Sequence, residues 1–450
     1  MIAHLALADE DPANIADLHY IATSQRLVLN FSQVCSVWRA AVINDATLWV
    51  FWSCSPSNRS LLYYHHIILS RSKHHPLRAQ IRIWKIRDLN AVSALGDILA
   101  GHVHGLQSLE VKIWPQNTNT FALLFPSPSV FEQPQLKVLS IQHAGQQHDT
   151  TLETLLDQSP FSSLHHLKVH GVDSLQLNNF WNLKSLVLSS GGQKKNKIWI
   201  FDVLEALQGL HRLEALSFIG TPIRFPGTAA AGFYMLFLPS NSLPSLRQLS
   251  ITGLRKGEDY VEQLLQALLP RISRNVDGLE LELGKELGNF VKLLQHAGTI
   301  PQFRSMTLRI ARPHDSHIHQ FLRLLPAFEP TNLIASPSST TLSFKFGPRS
   351  PQEQSKMPSL QTLDLVFEKD IFLHMFLLAA MTKPGGSSLR VVEIHIEQRD
   401  LERMEGFCDL LPVGAKGGCG GKSTRHGHLK LPGKHGERLC MFLHQFPGKK

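Results

Sequence analysis

Apolar residues recur along this chain in the pattern Leu-x-x-Leu-x-Leu, first at Leu106, Leu109 and Val111. From Leu109 to Met306 the middle residue of the pattern returns after steps of 30, 28, 19, 30, 33, 30 and 27 residues. Two further copies follow, centred on Leu363 and Val392, and Leu342 with Phe344 is a degenerate candidate between them. Self-similarity at a nearly fixed period indicates a repeat architecture.

The pattern within one copy predicts a short strand. Alternate side chains of a strand lie on one face, so the last two apolar residues of each copy enter a shared core. Helical spacing of apolar residues predicts helices between the strands, at residues 92–99, 152–156, 203–207, 261–269, 290–294, 318–325 and 371–379. The clearest is Val261–Leu269, preceded by Asp259 as a candidate cap. A single unit cannot bury its apolar face, but stacked units can. The chain therefore predicts an α/β solenoid.

This arrangement resembles the leucine-rich repeat family in its long, irregular form, over roughly residues 77–400. The resemblance implies a curved parallel sheet with helices on its outer side. It also implies a binding role, because repeat proteins commonly hold partners on the extended concave surface.

Residues 1–55 lack the repeat. Phe31, Val34, Val37 and Trp38 have the spacing of one helical face. The string from Ser32 to Ala41, SQVCSVWRAA, followed by Leu48-Trp49, resembles the second half of the F-box-like domain of fungal, basidiomycete-type proteins. The opening Leu-Pro-x-Glu-Ile-Leu of that family and its first helix have no counterpart after Met1, so the first half of the domain is expected to be truncated.

The F-box resemblance implies contact with a Skp-type adaptor through the N-terminal helices. The residues that would carry this contact are Val34, Trp38, Leu48 and Trp49. Core packing of a small helical bundle explains Trp38 and Trp49 as well, because tryptophan is usually highly buried.

Four segments are predicted. Residues 1–55 form the partial F-box-like segment, 56–105 connecting helices and a first strand, and 106–400 the repeat solenoid. Residues 401–450, rich in Gly, Lys and His, are expected to be a disordered basic tail.

The charge of the protein is concentrated in that tail. Net charge is +9, and from Pro412 to Lys450 eight Lys or Arg against one acid give +7, which leaves about +2 for the rest. The body therefore has no charge signature of nucleic-acid binding. Five cysteines without short spacings, no membrane-length apolar run and no signal sequence favour an intracellular protein, cytoplasmic or nuclear.

No motif for chemistry meets its requirements. The string at residues 417–424, GGCGGKST, lacks the Gly that a phosphate loop needs five residues earlier and lacks a preceding strand. Cys419, Cys440 and the nearby histidines lack the close cysteine pair of a zinc site. No nucleophile elbow or His-Glu-x-x-His motif occurs. We therefore expect no catalytic, cofactor or metal residues.

Candidate substrate-binding residues are the polar side chains that alternate with the core residues of each strand. They carry mixed charge and include an acidic pair: Lys112, Gln142, His170, Thr252, Glu280, Glu282, Arg309 and Asp364. A merely solvated face would show the same pattern.

Two functions remain open from the sequence. The first is a non-enzymatic substrate-recognition subunit of a cullin-type ubiquitin ligase, which joins the adaptor to a protein substrate. The second is a leucine-rich repeat interaction scaffold, whose incomplete F-box serves only as an N-terminal cap. A nucleotide-dependent enzyme is the third and least supported hypothesis.

Overall fold

The structure is a computed structural model. It describes residues 19–55, 60–83, 89–113, 120–125, 135–143, 162–170, 177, 180–189, 198–221, 223–225, 243–253, 261–272, 275–283, 290, 302–310, 330–336, 340–346, 362–367, 391–397, 424–430 and 438–446. The chain divides into two compact units, Met1–Ala231 and Gly232–Lys450.

The first unit contains helices and 3-10 turns that alternate with its strands. They are α1 (His19–Val34), α2 (Ser36–Asn44), a 3-10 turn (Ala46–Trp49), α3 (Ser60–Ser72), α4 (Leu89–His102), a 3-10 turn (Val103–Gly105), α5 (Thr120–Leu124) and α6 (Ile200–Gln208). The apolar residues of α4 and α6 that the helical spacing selects are buried, among them Val92, Leu95, Val203 and Leu207. The helical predictions for these two segments are confirmed.

Strands of the first unit form a parallel sheet in chain order. They are β1 (Phe51–Cys54), β2 (Leu77–Ile83), β3 (Leu106–Ile113), β4 (Val138–His143), β5 (His166–His170), β6 (Ser185–Ser189) and β8 (Ala215–Ile219). Each strand pairs in register with the next, so Leu109, Leu139, Leu167, Leu186 and Leu216 align across the sheet. The short strands β7 (Ile198–Trp199) and β9 (Ile223–Arg224) pair separately.

The core lies on one side of this sheet. The second and third apolar residues of each copy are buried there, as in Leu109 with Val111 and Leu186 with Leu188. The first residue of the later copies, such as Leu136 or Leu164, lies before its strand and is also buried. The turns stack as well, because His165 N donates to Lys137 O and Lys184 N donates to His165 O. One set of contacts therefore repeats from copy to copy.

The second unit contains α7 (Val261–Leu268), a 3-10 turn (Leu269–Arg271) and a further run of strands. Strands β10 (Gln248–Thr252), β11 (Asn275–Leu283), β12 (Gln302–Ile310) and β15 (Thr362–Phe367) pair in parallel in that order. Next come β14 (Thr340–Phe346) and β13 (Pro330–Ser336), then β16 (Val391–Glu397), β18 (Arg438–Phe446) and β17 (Thr424–Lys430). The fold is thus α/β, built on in-register parallel strands.

Three sequence predictions need correction. The predicted helical face from Phe31 to Trp38 is broken, because Cys35 has extended backbone angles and separates α1 from α2. The strand with Leu342 and Phe344 is not a further parallel copy, since β14 is antiparallel to both β13 and β15. The tail expected to be disordered contains β17 and β18, and the apolar run of β18 from Leu439 to Leu443 suits a strand.

The remaining helical predictions have different outcomes. Helix α7 confirms the stripe from Val261, although its helical turns end at Leu268 and a 3-10 turn follows. The predicted helices at 152–156, 318–325 and 371–379 lie outside the described residues. In the part of the chain that is described, no helix combines the length and apolar character needed to cross a membrane.

Candidate functional site

The junction between α1 and α2 is held by residues of the stretch from Ser32 to Ala41. Arg39 Nε donates to the carbonyl of Ser32 across 3.0 Å, and Arg39 N donates to the carbonyl of Cys35 across 2.9 Å. Ser32 Oγ donates to the carbonyl of Leu29 across 2.7 Å. The Arg39 side chain therefore satisfies a carbonyl in the last turn of α1 that the helix break leaves without an intrahelical partner.

An apolar cluster is exposed at this junction. The rings of Phe31 and Trp38 stack with centroids 5.4 Å apart. Val34 is 64% exposed, Val37 74% and Trp38 36%. We call Phe31, Val34, Val37 and Trp38 the junction patch. Grouped exposed apolar side chains are typical of a surface that meets another molecule.

The four predicted adaptor residues do not lie together. Val34 and Trp38 belong to the junction patch, whereas Leu48 and Trp49 are buried. Trp49 Nε1 donates to the carbonyl of Val42 across 2.8 Å, and the Arg71 guanidinium lies 4.6 Å from the centre of the Trp49 ring. Trp49 thus links α2 to the following 3-10 turn and to Arg71 of α3, and its buried ring presents no surface to a partner.

Helix α1 also covers the first strand of the sheet. The side chain of Gln25 accepts a hydrogen bond from Ser53 N across 2.8 Å, and Val28 of the same helix is buried. Strand β1 is the edge of the sheet in this unit. Edge strands leave backbone donors unpaired, so this contact satisfies one of them and caps the repeat.

The second candidate surface is the side of the sheet opposite the core. Two rows of register neighbours from β2 to β6 define what we call the polar face: Gln80, Glu110, Ser140, Lys168 and Val187, then Arg82, Lys112, Gln142, His170 and Ser189. Three predicted substrate-binding residues, Lys112, Gln142 and His170, are consecutive members of one row. The structure therefore brings them together.

A buried carboxylate lies within the polar face. Glu110 is buried, and its Oε1 pairs with Lys112 Nζ across 2.9 Å while its Oε2 accepts from Gln80 Nε2. Ser53 Oγ in turn donates to Gln80 Oε1 across 3.4 Å. A buried charge needs such partners. Strand alternation identifies neither the burial of Glu110 nor the contact with Gln80, although Gln80 alternates with the apolar residues of β2 as Glu110 does in β3.

His170 and Ser189 face each other across β5 and β6. His170 Nδ1 lies 2.8 Å from Ser189 Oγ. Burial, and then the positive charges of Lys168 and Lys112, lower the pKa of His170 below its ordinary value. The neutral imidazole therefore serves here as a hydrogen-bonding group among cations.

The polar face carries an excess of positive charge. Strand β2 supplies Arg82, β3 supplies Lys112, and β5 supplies Lys168. Glu110 is the acid of the two rows, and it is already paired with Lys112. The sequence predicts mixed charge on the strand faces, and on the polar face of β2–β6 the cations outnumber the acids.

In the second unit, the polar residues that alternate with the core residues of β11 are acidic, Glu280 and Glu282. Glu280 accepts from Ser250 Oγ across 3.0 Å and from Arg309 Nε across 2.9 Å. Glu282 Oε2 accepts from Gly253 N across 2.5 Å, next to Thr252 at the end of β10. Asp364 is in the same register row as Thr307, which neighbours Glu280. The five predicted residues of this unit thus lie on adjacent strands.

Within the described residues, no group of three His, Cys, Asp or Glu side chains is arranged to hold a metal ion. The glycine-rich string at 417–423 and Cys419 lie outside the described residues, and Cys440 belongs to β18. The sequence matches no known protein-family profile and no curated protein.

Proposed function

We propose that the protein is a non-enzymatic substrate-recognition subunit of a cullin-type ubiquitin ligase. In this proposal the junction patch meets a Skp-type adaptor and the strand faces meet a protein substrate. The observation that carries the proposal is the exposed group of Val34, Val37 and Trp38, with the half-buried Phe31 ring stacked on Trp38. It lies on the stretch that resembles an F-box-like domain.

The repeat body supports the recruiting role. Copies about 30 residues apart supply strands that pair in parallel and in register, with one apolar row buried under each. In this proposal the parallel sheet belongs to a leucine-rich repeat solenoid, a scaffold that presents many side chains over an extended surface. Recruitment of this kind requires binding and no bond chemistry by the subunit itself.

Cysteine chemistry supports an intracellular site of action. Cys35 is exposed and Cys54 is buried, and both are free thiols. Burial raises the pKa of Cys54 to about 12, so its thiol is protonated and unreactive at neutral pH. Free thiols suit a reducing compartment such as the cytosol or nucleus.

The direct test is co-elution of the full chain with a purified Skp-type adaptor. We expect the unmodified chain to form a complex and Trp38→Ala to lose it, because truncation removes the ring that stacks on Phe31. Trp199→Ala is the matched control, since Trp199 is also 36% exposed but lies at β7. Failure of the unmodified chain to bind any adaptor contradicts the proposal.

The alternative is an interaction scaffold in which the N-terminal segment is only a cap. The Gln25–Ser53 hydrogen bond and the burial of Leu48 and Trp49 favour it, because both are contacts that close the end of the sheet. Under this alternative, Trp38→Ala leaves the set of proteins that the chain binds unchanged. Gln25→Ala lowers the stability of the first unit by about 1 kcal/mol under both hypotheses, because it leaves one donor unpaired. The adaptor experiment therefore decides between them.

A further inference from the structure

The cations of the polar face differ in their partners. Lys112 is neutralised by Glu110. The Nε of Arg82 is buried without a hydrogen-bond partner among the described residues. Lys168 has no salt bridge within the same part of the chain, and its strand neighbour in the row is Ser140. Arg82 and Lys168 are thus two cations held on strands of one sheet, and no acid of the described residues forms a salt bridge with either of them.

The Glu110 site shows which group this surface accommodates. One lysine and one side-chain amide from neighbouring strands together bind both oxygens of its carboxylate. Arg82 lies next to Lys112 in register, and Lys168 lies two strands beyond Lys112, beside Gln142 of the other row. Similar donors are therefore available on both sides of Glu110, and a carboxylate from another molecule has the same requirements.

The distance between the two cations sets the spacing of an acidic ligand. Arg82 on β2 and Lys168 on β5 belong to different rows, so they are about 14 Å apart across three strands and about 7 Å apart along them, or about 16 Å in all. An extended peptide covers about 14 Å in four residues, and residues i and i+4 lie on one side of it. The long Arg, Lys and Glu side chains span the remaining distance of about 2 Å.

We propose that the polar face of β2–β6 binds an extended acidic polypeptide segment with two carboxylates four residues apart, one at Arg82 and one at Lys168. This proposal rests on the recruiting function and names the chemical class of its substrate. A nucleic acid fits less well, because it needs a continuous basic track and this face is interrupted by Glu110 and by neutral residues such as Ser140 and Gln142.

Fluorescence anisotropy of the full chain tests the proposal with a labelled peptide, Gly-Ser-Glu-Ser-Gly-Ser-Glu-Ser-Gly. We expect the same peptide with Gln in place of Glu to bind at least about tenfold more weakly. Lys168→Glu weakens binding of the Glu peptide by about tenfold or more, and Lys73→Glu, the same charge change on an exposed turn residue, leaves it within about twofold. Moving the second Glu one residue along also weakens binding.

Three results overturn the proposal: equal binding of the Glu and Gln peptides, equal effects of Lys168→Glu and Lys73→Glu, or tighter binding of a single-stranded oligonucleotide of the same charge. Adaptor co-elution is measured on the same preparations and is expected to be unchanged by Lys168→Glu. If the chain binds the peptide but no adaptor, the recruiting function fails and the acidic-segment site stands. If the chain binds the adaptor but shows no preference for the Glu peptide, the acidic-segment site fails and the recruiting function stands.

Discussion

The indole of Trp52 donates from Nε1 to Nδ1 of His65 across 3.1 Å, with both side chains buried. The rings meet edge to face with centroids 5.9 Å apart. Because Nδ1 accepts, the contact requires a neutral imidazole with its proton on Nε2. This pair joins β1 to α3 beneath the capped end of the sheet, and it fixes the charge state of a histidine inside the fold.

The first prediction concerns pH. Burial lowers the pKa of His65 to about 4, below its ordinary value of 6.5. As pH falls through 6.5 the unfolded chain takes up a proton that the folded chain refuses, so the folded state loses stability between about pH 6.5 and 4. At 1.36 kcal/mol per pKa unit the loss approaches about 3 kcal/mol. Urea unfolding across this pH range measures it.

Two variants isolate the contribution of His65. His65→Gln removes one titrating group and is expected to reduce the pH dependence over that interval, while lowering stability at pH 7; the remainder comes from histidines such as His170, whose pKa burial also lowers. His74→Gln changes an exposed histidine and is expected to leave the dependence as in the unmodified chain. A pH profile that is the same in all three proteins contradicts the assignment.

The second prediction concerns the packing of α4 on α5. A methyl group at Gly96 would lie 2.7 Å from the carbonyl oxygen of Leu123 and 2.8 Å from that of Leu124. Backbone cannot yield cheaply, so Gly96→Ala is expected to destabilise the protein by about 1–3 kcal/mol. Gly101→Ala in the same helix meets nothing within 4 Å and is expected to be neutral or to stabilise by up to about 1 kcal/mol. Thermal unfolding of both variants checks the contrast.

The third prediction concerns Glu110. Glu110→Ala leaves the Lys112 ammonium and the Gln80 amide without their shared acceptor. We expect a loss of about 1–3 kcal/mol in the free energy of unfolding, the cost of unpaired buried groups. Glu214→Ala removes an exposed partner of Lys184, 3.6 Å away, and is expected to cost less than about 1 kcal/mol. Equal losses in chemical denaturation would mean that Glu110 is solvated.

The sequence predicts the repeated part of the fold well, and the reason is physical. Strand periodicity alone determines which side chains are buried, so Leu139, Ile141, Leu186 and Leu188 are identifiable before any coordinates exist. The row Lys112, Gln142 and His170 follows from the same alternation once the strands are stacked in register. Both results need only local pattern and parallel stacking.

Long-range contacts account for what the sequence does not predict. The break at Cys35 depends on Arg39 reaching the carbonyl of Ser32, and the burial of Glu110 depends on Gln80, 30 residues earlier. Strand β14 pairs antiparallel with β13 and so is not a parallel copy of the repeat, although Leu342 and Phe344 fit the apolar spacing of the repeat. The spacing of apolar residues in a helix or strand does not indicate which distant residue will be its hydrogen-bond or strand partner.

The central claim is that one chain joins two separate binding surfaces, the junction patch and the polar face. Analytical ultracentrifugation of the full chain with a Skp-type adaptor and the labelled Glu peptide tests it most directly. We predict that the label sediments with the adaptor only when the chain is present, that Trp38→Ala releases the adaptor and keeps the peptide, and that Lys168→Glu releases the peptide and keeps the adaptor. A folded variant that loses both ligands, or an unmodified chain that never bridges them, would contradict the account.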